Sequence, residues 1–273
     1  MKSVAAASIG DYERAVMALG DYFATVERGL GACFRDPDLQ PAITTAFNTQ
    51  SPPCMIVFGT DQGLVGQFND SIAEFALNFL EASLLDQPAS HKPLVWTVGE
   101  RLNERLNDAG ITTQARFDVP DSVKSISPLI GQILLSIEAH HPITVMSELH
   151  LFYQRPGNGP VYSPITQRLL PLDQNWCKKL AEKIWPTNNI PELLGDKPDT
   201  LGALIREYLF VSLFRASAES LSSENASRLA AMQRADKNIE DLLETLNRDY
   251  HRKRQASIDE EMFDVIAGAN NKG

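Results

Sequence analysis

The sequence predicts an α/β fold in which a Rossmann-like, mainly parallel sheet is inserted between two long terminal helices that pair as an antiparallel coiled coil. Three observations support this prediction. The segment from Ala203 to Ala267 contains no glycine or proline, the two residues that interrupt helices most strongly. The first thirty or so residues carry a heptad pattern of apolar side chains. Between these ends, short apolar runs alternate with amphipathic segments, as in proteins with a parallel sheet.

The N-terminal helix is predicted over residues 1–32. Apolar residues recur there at alternating spacings of three and four, which is the pattern of a coiled-coil seam. This first seam consists of Ile9, Tyr12, Val16, Leu19, Phe23, Val26 and Leu30. Gly31, followed by the Asp36-Pro37 pair, is expected to end the helix, because glycine and proline both disfavour its continuation.

The α/β domain and its connectors are predicted over residues 33–198. Apolar and β-branched runs predict strands, and they lie at 54–60, 93–98, 112–119, 143–155 and 161–172. Amphipathic patterns predict helices, and they lie at 71–83, 100–110, 122–141 and 174–184. The last two strands are expected to form a hairpin around the PGNG sequence. Pro128 is expected to start or kink its helix.

The C-terminal helix is predicted over residues 199–269, followed by a disordered tail at 270–273. A second seam with three–four spacing runs along it, formed by Leu229, Met232, Ile239, Leu243, Leu246 and Tyr250. If the inserted domain returns the chain to where it left, the two seams can bury each other in an antiparallel pair. The serine-rich stretch 217–227 has the weakest helix propensity and is the expected position of a bend.

Composition argues against several classes of protein. The net charge of −10 disfavours nucleic acid as the main partner, because phosphate binding requires a basic face. No apolar run approaches the roughly 18 residues that a membrane-spanning helix needs. The three cysteines are widely spaced and form neither a metal-binding signature nor an even disulfide set, which fits a reducing compartment.

The glycine-rich segment after the first predicted strand has two interpretations. Gly59, Gly63 and Gly66 follow a strand and precede a helix, as glycines in a phosphate-binding loop do. Their spacing is not that of a dinucleotide fingerprint, and no Gly-Lys-Ser/Thr sequence follows, so turn-forming glycines are favoured. Asp61 is expected to cap a helix or stabilise the loop. The residues therefore predict no catalytic residue, no cofactor and no metal ligand.

Long stretches of the chain resemble the γ subunit of the F-type ATP synthase. Residues 228–269 share its Arg-x-x-Ala-Met start and its later Leu-x-x-x-Tyr-x-x-x-Arg-Gln-Ala-Ser-Ile pattern. FGTDQGLVGQFN (58–69) is similar to the family's strand-end motif, MKSVAAASI (1–9) to its N-terminal helix and LLPL (169–172) to the end of its α/β domain. Residues 9–35 resemble most the γ subunit of the alternative, often sodium-linked, bacterial F-type ATPases.

The resemblance implies a central-stalk rotor. In this family the two terminal helices form a bent antiparallel coiled coil inside a ring of α and β subunits, whose catalytic sites respond to its rotation. The α/β domain lies outside that ring, with the ε subunit, on the membrane-embedded ring of c subunits. Such a chain couples ion flow to ATP synthesis or hydrolysis. It lies on the cytoplasmic side of the bacterial inner membrane as a peripheral part of the complex.

The resemblance also implies contacts with the β subunit. Arg228 matches the family's arginine at the start of the last helical segment, and Arg254 and Gln255 match its Arg-Gln pair. Met1 aligns with a methionine that faces an acidic lever segment of β. Arginine suits such contacts because its planar guanidinium forms bidentate, charge-assisted hydrogen bonds.

The sequence departs from the family pattern in two places. The family has a longer segment before the position of Met1, so we expect either an upstream start or a truncated chain. Apolar side chains late in the C-terminal helix are then expected to be exposed, namely those of Ile258, Met262 and Ile266. Asp259 stands where relatives often carry threonine, which puts that contact in doubt.

Two other functions stay open at this point. One is a Rossmann-like nucleotide-binding enzyme whose terminal helices dimerise. The other is a structural coiled-coil adaptor with an inert α/β head. Tight nucleotide binding by the isolated chain would favour the enzyme over a rotor. An adaptor predicts that Arg228→Ala and Gln255→Ala leave the ATPase activity of a reconstituted complex unchanged, whereas a rotor predicts a loss of coupling.

Overall fold

The computed structural model describes residues 2–39, 52–84, 93–140, 148–157, 161–185, 187, 189 and 191–270. The chain divides into two compact units, Met1–Leu229 and Ala230–Gly273. The first unit contains the sheet and the helices packed on it. The second unit is helical from its first residue to Asn270. Of the tail predicted at 270–273, Asn270 is the last residue of the helix and the others lie outside the described residues.

Five strands form one sheet in the described part of the chain. They are Cys54–Phe58 (β1), Leu94–Val98 (β2), Ala115–Phe117 (β3), Leu149–Pro156 (β4) and Tyr162–Leu170 (β5). Their order across the sheet is β3-β2-β1-β4-β5. Strand β1 is parallel to β2 and β4, β2 is parallel to β3, and only the β4–β5 hairpin is antiparallel among these pairs. The predicted mainly parallel sheet is confirmed.

The helices agree in position with the predicted ones. They are Lys2–Arg35 (α1), Phe68–Leu84 (α2), Glu100–Asp108 (α3), Val123–His140 (α4), Gln174–Glu182 (α5) and Lys197–Asn270 (α6). Pro128 lies inside α4, which begins before it. Pro198 lies in the first turn of α6, where the missing N–H removes no helical hydrogen bond.

The helices cover both faces of the sheet. On one face, Met55 and Val57 pack with α2 and α3 in a compact apolar cluster. On the other face, Ile56 and Phe58 belong to a larger cluster that includes residues of α4, α1, α5 and α6. Strand β1 is therefore buried on both sides, which explains why its sequence is a continuous apolar run rather than an alternating one.

Helix α1 and the first part of α6 run antiparallel to each other. The Tyr22 hydroxyl donates a 2.5 Å hydrogen bond to the carboxylate of Glu207. Further along α1, a Cβ added at Gly29 would lie 2.9 Å from the side chain of Leu204. Residue numbers thus rise along α1 as they fall along α6. The predicted antiparallel pairing of the terminal helices is confirmed.

The segment of α6 that buries α1 is not the predicted second seam. From Ile239 to Tyr250, the apolar residues of that seam are 55–60% exposed. Buried residues such as Leu209 and Leu213 share a cluster with the α1 seam instead. Residues 208–214 (YLFVSLF) are apolar almost all round because this stretch is buried on several sides. It therefore shows no single stripe, and a search for seams overlooks it.

Gly31 does not end α1, contrary to the prediction from sequence. The helix continues to Arg35. A Cβ added at Gly31 would lie 2.7 Å from the backbone oxygen of Leu180, so glycine at this position allows α5 to approach α1 closely. The Arg35 guanidinium donates hydrogen bonds to the carbonyl groups of Ala181 and Lys183, which fastens the end of α1 to the end of α5.

Candidate partner-contact site

The serine-rich stretch 217–227, here called the docking segment, is largely buried and continuously helical. The Ser223 hydroxyl donates a 3.0 Å hydrogen bond to the backbone carbonyl of Gln154 in β4. The Ser227 hydroxyl donates a 2.6 Å hydrogen bond to the carbonyl of Val65, in the loop between β1 and α2. The small serine side chains let the backbone of α6 approach the backbones of β4 and of this loop. The low helix propensity of this stretch is therefore offset by its contacts with the sheet domain.

A buried acid adds an ionic contact to the docking segment. The Glu219 carboxylate, whose side chain is 9% exposed, lies 2.7 Å from Arg215 Nε and 3.4 Å from Arg155 Nε in β4. Arg155 also donates a 3.1 Å hydrogen bond to the hydroxyl of Tyr153. Burial raises the pKa of that Tyr153 hydroxyl above its ordinary value, so it stays protonated. Charge and hydroxyl contacts together fix α6 on β4.

The strand-end motif folds into a closed loop held by its own side chains. The Thr60 N–H donates to the amide oxygen of Asn69 at 3.0 Å, and the Asn69 amide donates back to the Thr60 hydroxyl at 2.8 Å. The Asp61 carboxylate accepts the backbone N–H groups of Glu100 and Val119, both at 2.8 Å. Asp61 therefore caps α3 and ties it to the chain after β3, as the sequence predicts for a capping acid.

This arrangement uses the groups that a nucleotide phosphate would need. Phosphates bind at the carboxyl end of parallel strands through free N–H groups at a helix N-terminus. Here the N–H of Glu100, the first residue of α3, already bonds Asp61. A Cβ added at Gly99 would lie 2.6 Å from the Thr60 nitrogen, and its φ of +110° is a conformation that favours glycine. The glycines around this loop thus serve turns and close packing.

Arg228 stands at the end of the docking segment. Its guanidinium donates a 2.5 Å hydrogen bond to the Glu224 carboxylate, one helical turn earlier. The side chains of Arg228 and Glu224 are only 17% and 6% exposed. Burial raises the pKa of Glu224, and the carboxylate of Asp61 raises it further, while the Arg228 cation opposes both effects. The resemblance assigns Arg228 to a contact with the β subunit, and the structure holds it in a mostly buried ion pair within the chain.

Arg254 and Gln255 lie in the second unit, and their side chains are exposed. Their neighbour Arg252 pairs with Asp249 on the same helix at 3.1 Å. The region is therefore a solvated, basic section of α6 with donors available for acceptor groups of another protein. Met1, the remaining predicted contact residue, lies outside the described residues.

An apolar stripe runs along α6 in the second unit. Its members, Ile239, Leu242, Leu243, Leu246 and Tyr250, are 55–60% exposed, and three apolar side chains later in the helix, Ile258, Met262 and Phe263, are 53–66% exposed. The expected exposure of Ile258 and Met262 is confirmed, and the side chain of Ile266 lies outside the described residues. Contiguous exposed apolar surface of this kind marks a site of interaction with another protein or chain. Among the described helices, none combines the length and apolarity needed to cross a membrane.

Sequence reasoning missed the role of the docking segment. Low helix propensity suggested a bend, but the same residues carry a second signal. Small residues recur at helical spacing, at Ser217, Ser220, Ser223 and Ser227. A stripe of small residues on one helix face is typical of close backbone approach, and here it lies against the sheet domain.

Comparison with known proteins agrees with this architecture. A family model described as ATP synthase matches residues 1–271. The chain belongs to this family. Gamma-chain relatives cover nearly its full length: the ATP synthase gamma chain of Rhizobium johnstonii is 26% identical over 276 residues, which span 98% of this chain and 91% of the relative. The ATP synthase gamma chain of Synechococcus sp. PCC 6716 is 27% identical over 293 residues, with the same shares covered.

Solved structures of ATP synthases share the fold of this gamma-family chain. One is a chain of the central stalk and c-ring of the Tetrahymena thermophila mitochondrial ATP synthase, with a TM-score of 0.58 and 18% identity, covering 86% of this chain and 97% of that chain. Another, from the Euglena gracilis mitochondrial ATP synthase, has a TM-score of 0.57 and 15% identity, covering 97% and 94%.

Proposed function

We propose that this gamma-family chain is the non-catalytic rotor of its complex. As a rotor it couples ion flow through a membrane ring to ATP synthesis or hydrolysis on a ring of α and β subunits. The strongest support is the difference between the two parts of α6. Its first part is fixed to the sheet domain by buried hydroxyl and ionic contacts, and its second unit exposes an apolar stripe and a basic section.

The strand-end loop supports a role without nucleotide chemistry. The Asp61 carboxylate accepts a hydrogen bond from the N–H group at the start of α3, and the Asn69 side chain accepts one from the N–H of Thr60. A phosphate would have to displace both side chains and would face the negative charge of Asp61. Nucleotide chemistry in the proposed assembly belongs to the α and β subunits.

The proposed partners are those that the family resemblance implies. The second unit of α6 contacts the ring of α and β subunits, and the sheet domain contacts the ε subunit and the ring of c subunits. The chain is then a peripheral part of the complex on the cytoplasmic side of the bacterial inner membrane.

The proposed β-subunit contacts are Arg228, Arg254, Gln255 and Met1. Arg254 carries an exposed guanidinium, which suits bidentate hydrogen bonds to carboxylates or carbonyl groups of a partner loop. Gln255 offers both a donor and an acceptor beside it. Such contacts are strong enough to transmit force and few enough to break and re-form as the shaft turns.

Reconstituted complexes test this proposal. With Arg254→Ala or Gln255→Ala, we expect ATP-driven ion transport to fall by about tenfold, the effect of losing one charge-assisted hydrogen bond. Arg252→Ala is the matched control, because Arg252 already pairs with Asp249 within the helix, and it should leave transport near the parent value. Equal transport in all three variants and the parent would contradict the proposed contacts and favour an inert adaptor.

Binding experiments on the isolated chain address the nucleotide-enzyme alternative. Calorimetric titration with ATP or NAD should give no measurable binding. The same chain should associate with purified α and β subunits. Tight nucleotide binding without affinity for those subunits would overturn the rotor proposal.

A further inference from the structure

The Glu224–Arg228 pair leaves most of the arginine's hydrogen-bonding capacity unused. A guanidinium has five N–H donors. Among the described residues, Glu224 is the one hydrogen-bond acceptor that Arg228 meets, and the contact is made through a single Nη2 atom. Its Nε and Nη1 atoms are not among the fully buried side-chain atoms that lack a partner, so they remain accessible to another acceptor. The arrangement therefore favours a further acceptor from outside the chain.

The residues around Glu224 explain why the Arg228 guanidinium is held beside it. Asp61 in the strand-end loop and Tyr12 in α1 both lie close enough to Glu224 to interact electrostatically with it. The carboxylate of Glu224 makes the ion pair that holds the arginine cation. Ser227, between the two members of the pair in the chain, is bonded to Val65, so the helix turn that carries them is fixed to the sheet domain.

We propose that Glu224 is a positioning residue for Arg228. It holds the guanidinium by one N–H group and leaves the others directed to an acceptor, a carboxylate or backbone carbonyl, on a loop of the β subunit. The inference rests on the proposed contact of Arg228 with that subunit. It adds that the contact depends on a second, buried residue that itself never touches the partner.

The second acidic residue of the docking segment provides a matched control. Glu219 is on the same helix, is similarly buried and also pairs with arginines. Both of its partners, Arg215 and Arg155, lie in the sheet domain or in the docked part of α6. Glu219→Gln should therefore lower the stability of the chain about as much as Glu224→Gln does, without acting on Arg228.

The test uses the assembled complex with single and double variants. ATP hydrolysis and ATP-driven ion transport are measured together, and their ratio reports coupling. We expect Glu224→Gln and Arg228→Ala each to lower the coupled transport rate about tenfold. The double variant should be no worse than Arg228→Ala alone, because a residue that acts through Arg228 has nothing left to position. Glu219→Gln should leave the coupling ratio at the parent value.

The outcomes separate this inference from the proposed function. Parent-like transport in Arg228→Ala would overturn both. A loss in Arg228→Ala with parent-like transport in Glu224→Gln would overturn the inference alone, as would multiplied losses in the double variant or an equal loss in Glu219→Gln. If Glu224→Gln complexes do not assemble, Glu224→Asp keeps the charge on a shorter side chain. It should give an intermediate loss, and parent-like transport in it would count against the inference.

Discussion

Ser227 donates a hydrogen bond of 2.6 Å to the backbone carbonyl of Val65, and both residues are buried. The bond joins the last helix to the loop after the first strand, two parts of the chain that are far apart in sequence. The same carbonyl also accepts the Phe68 N–H at 3.4 Å, so the serine adds a second and shorter hydrogen bond to it. The strand-end motif and the docking segment, which are separate features in the sequence, are thus joined by a direct hydrogen bond.

Removing a docking hydroxyl should lower stability. Ser223 bonds the carbonyl of Gln154, and the residue opposite Gln154 in β5 is Pro164, which has no N–H to offer. We expect Ser223→Ala to reduce the free energy of unfolding by about 1–3 kcal/mol, the cost of a buried polar group without a partner. Urea unfolding of the isolated chain measures it. Ser257→Ala, at an exposed position of the same helix, should change little; an equal loss there would argue against the docking role.

Two glycines of α1 should respond in opposite directions to the same change. A Cβ at Gly20 meets nothing within 4 Å, so Gly20→Ala should stabilise the chain by about 0.5–1 kcal/mol through the higher helix propensity of alanine. Gly31→Ala should destabilise it by about 1–3 kcal/mol, because the new Cβ meets the Leu180 carbonyl at 2.7 Å. Thermal unfolding of the two variants measures both changes in stability. A Gly31→Ala variant more stable than the parent would refute the close approach of α5 to α1.

Substitution by alanine at two leucines of α6 should have very different effects on the stability of the chain. Leu213 is fully buried beside α1 and the sheet domain, whereas Leu243 is more than half exposed. Leu213→Ala should cost about 2–5 kcal/mol in the isolated chain, and Leu243→Ala less than about 0.5 kcal/mol. Circular dichroism during urea unfolding measures both. A large cost for Leu243→Ala would mean that the apolar stripe is already covered in the isolated chain.

The chain should lose stability in mild acid through His150. Burial lowers the pKa of this histidine below its ordinary value of 6.5, although its contact with Glu148 opposes the shift. The unfolded chain then binds a proton that the folded chain resists. The free energy of unfolding should therefore fall as the pH decreases below that value, by at most about 1.4 kcal/mol per pH unit.

A variant that lacks this one histidine isolates the effect. His150→Phe, which keeps an aromatic ring beside Phe79, should show a weaker fall in stability between about pH 7.5 and pH 5.5 than the parent chain does. His251→Asn, at an exposed position, should keep the slope of the parent. An unchanged slope in His150→Phe would assign the acid sensitivity to other groups.

The elements of the fold were largely predictable because their periodic patterns are strong and local. Strand β3 was predicted too long, at 112–119, and the structure gives a reason. The N–H of Val119 bonds the side chain of Asp61, so the chain leaves the sheet after Phe117. A contact between residues so distant in sequence leaves no trace in local hydropathy.

The site was predicted only in part. Chain similarity pointed to Arg228, and Glu224 stands four residues before it, a spacing that favours an ion pair on a helix. That spacing is equally common on solvated faces, so the burial of the pair was not foreseeable. The seam that pairs with α1 was missed for a related reason, because a stretch buried on several sides has no stripe. The assignment to a sodium-linked subfamily and the domain boundaries at 1–32, 33–198 and 199–269 stay predictions.

Because the docking segment is buried, mutational tolerance along α6 should not follow hydropathy, although hydrophilic positions on a helix usually tolerate substitution best. In a library of random substitutions in the isolated chain, the hydrophilic stretch 217–227 should accept few changes, because most of it is buried. The leucines of the second unit should accept many, since their side chains are exposed. A ranking of positions by hydropathy would place these two regions in the wrong order. On this helix the buried serines would then be under stronger selection for folding than the exposed leucines are.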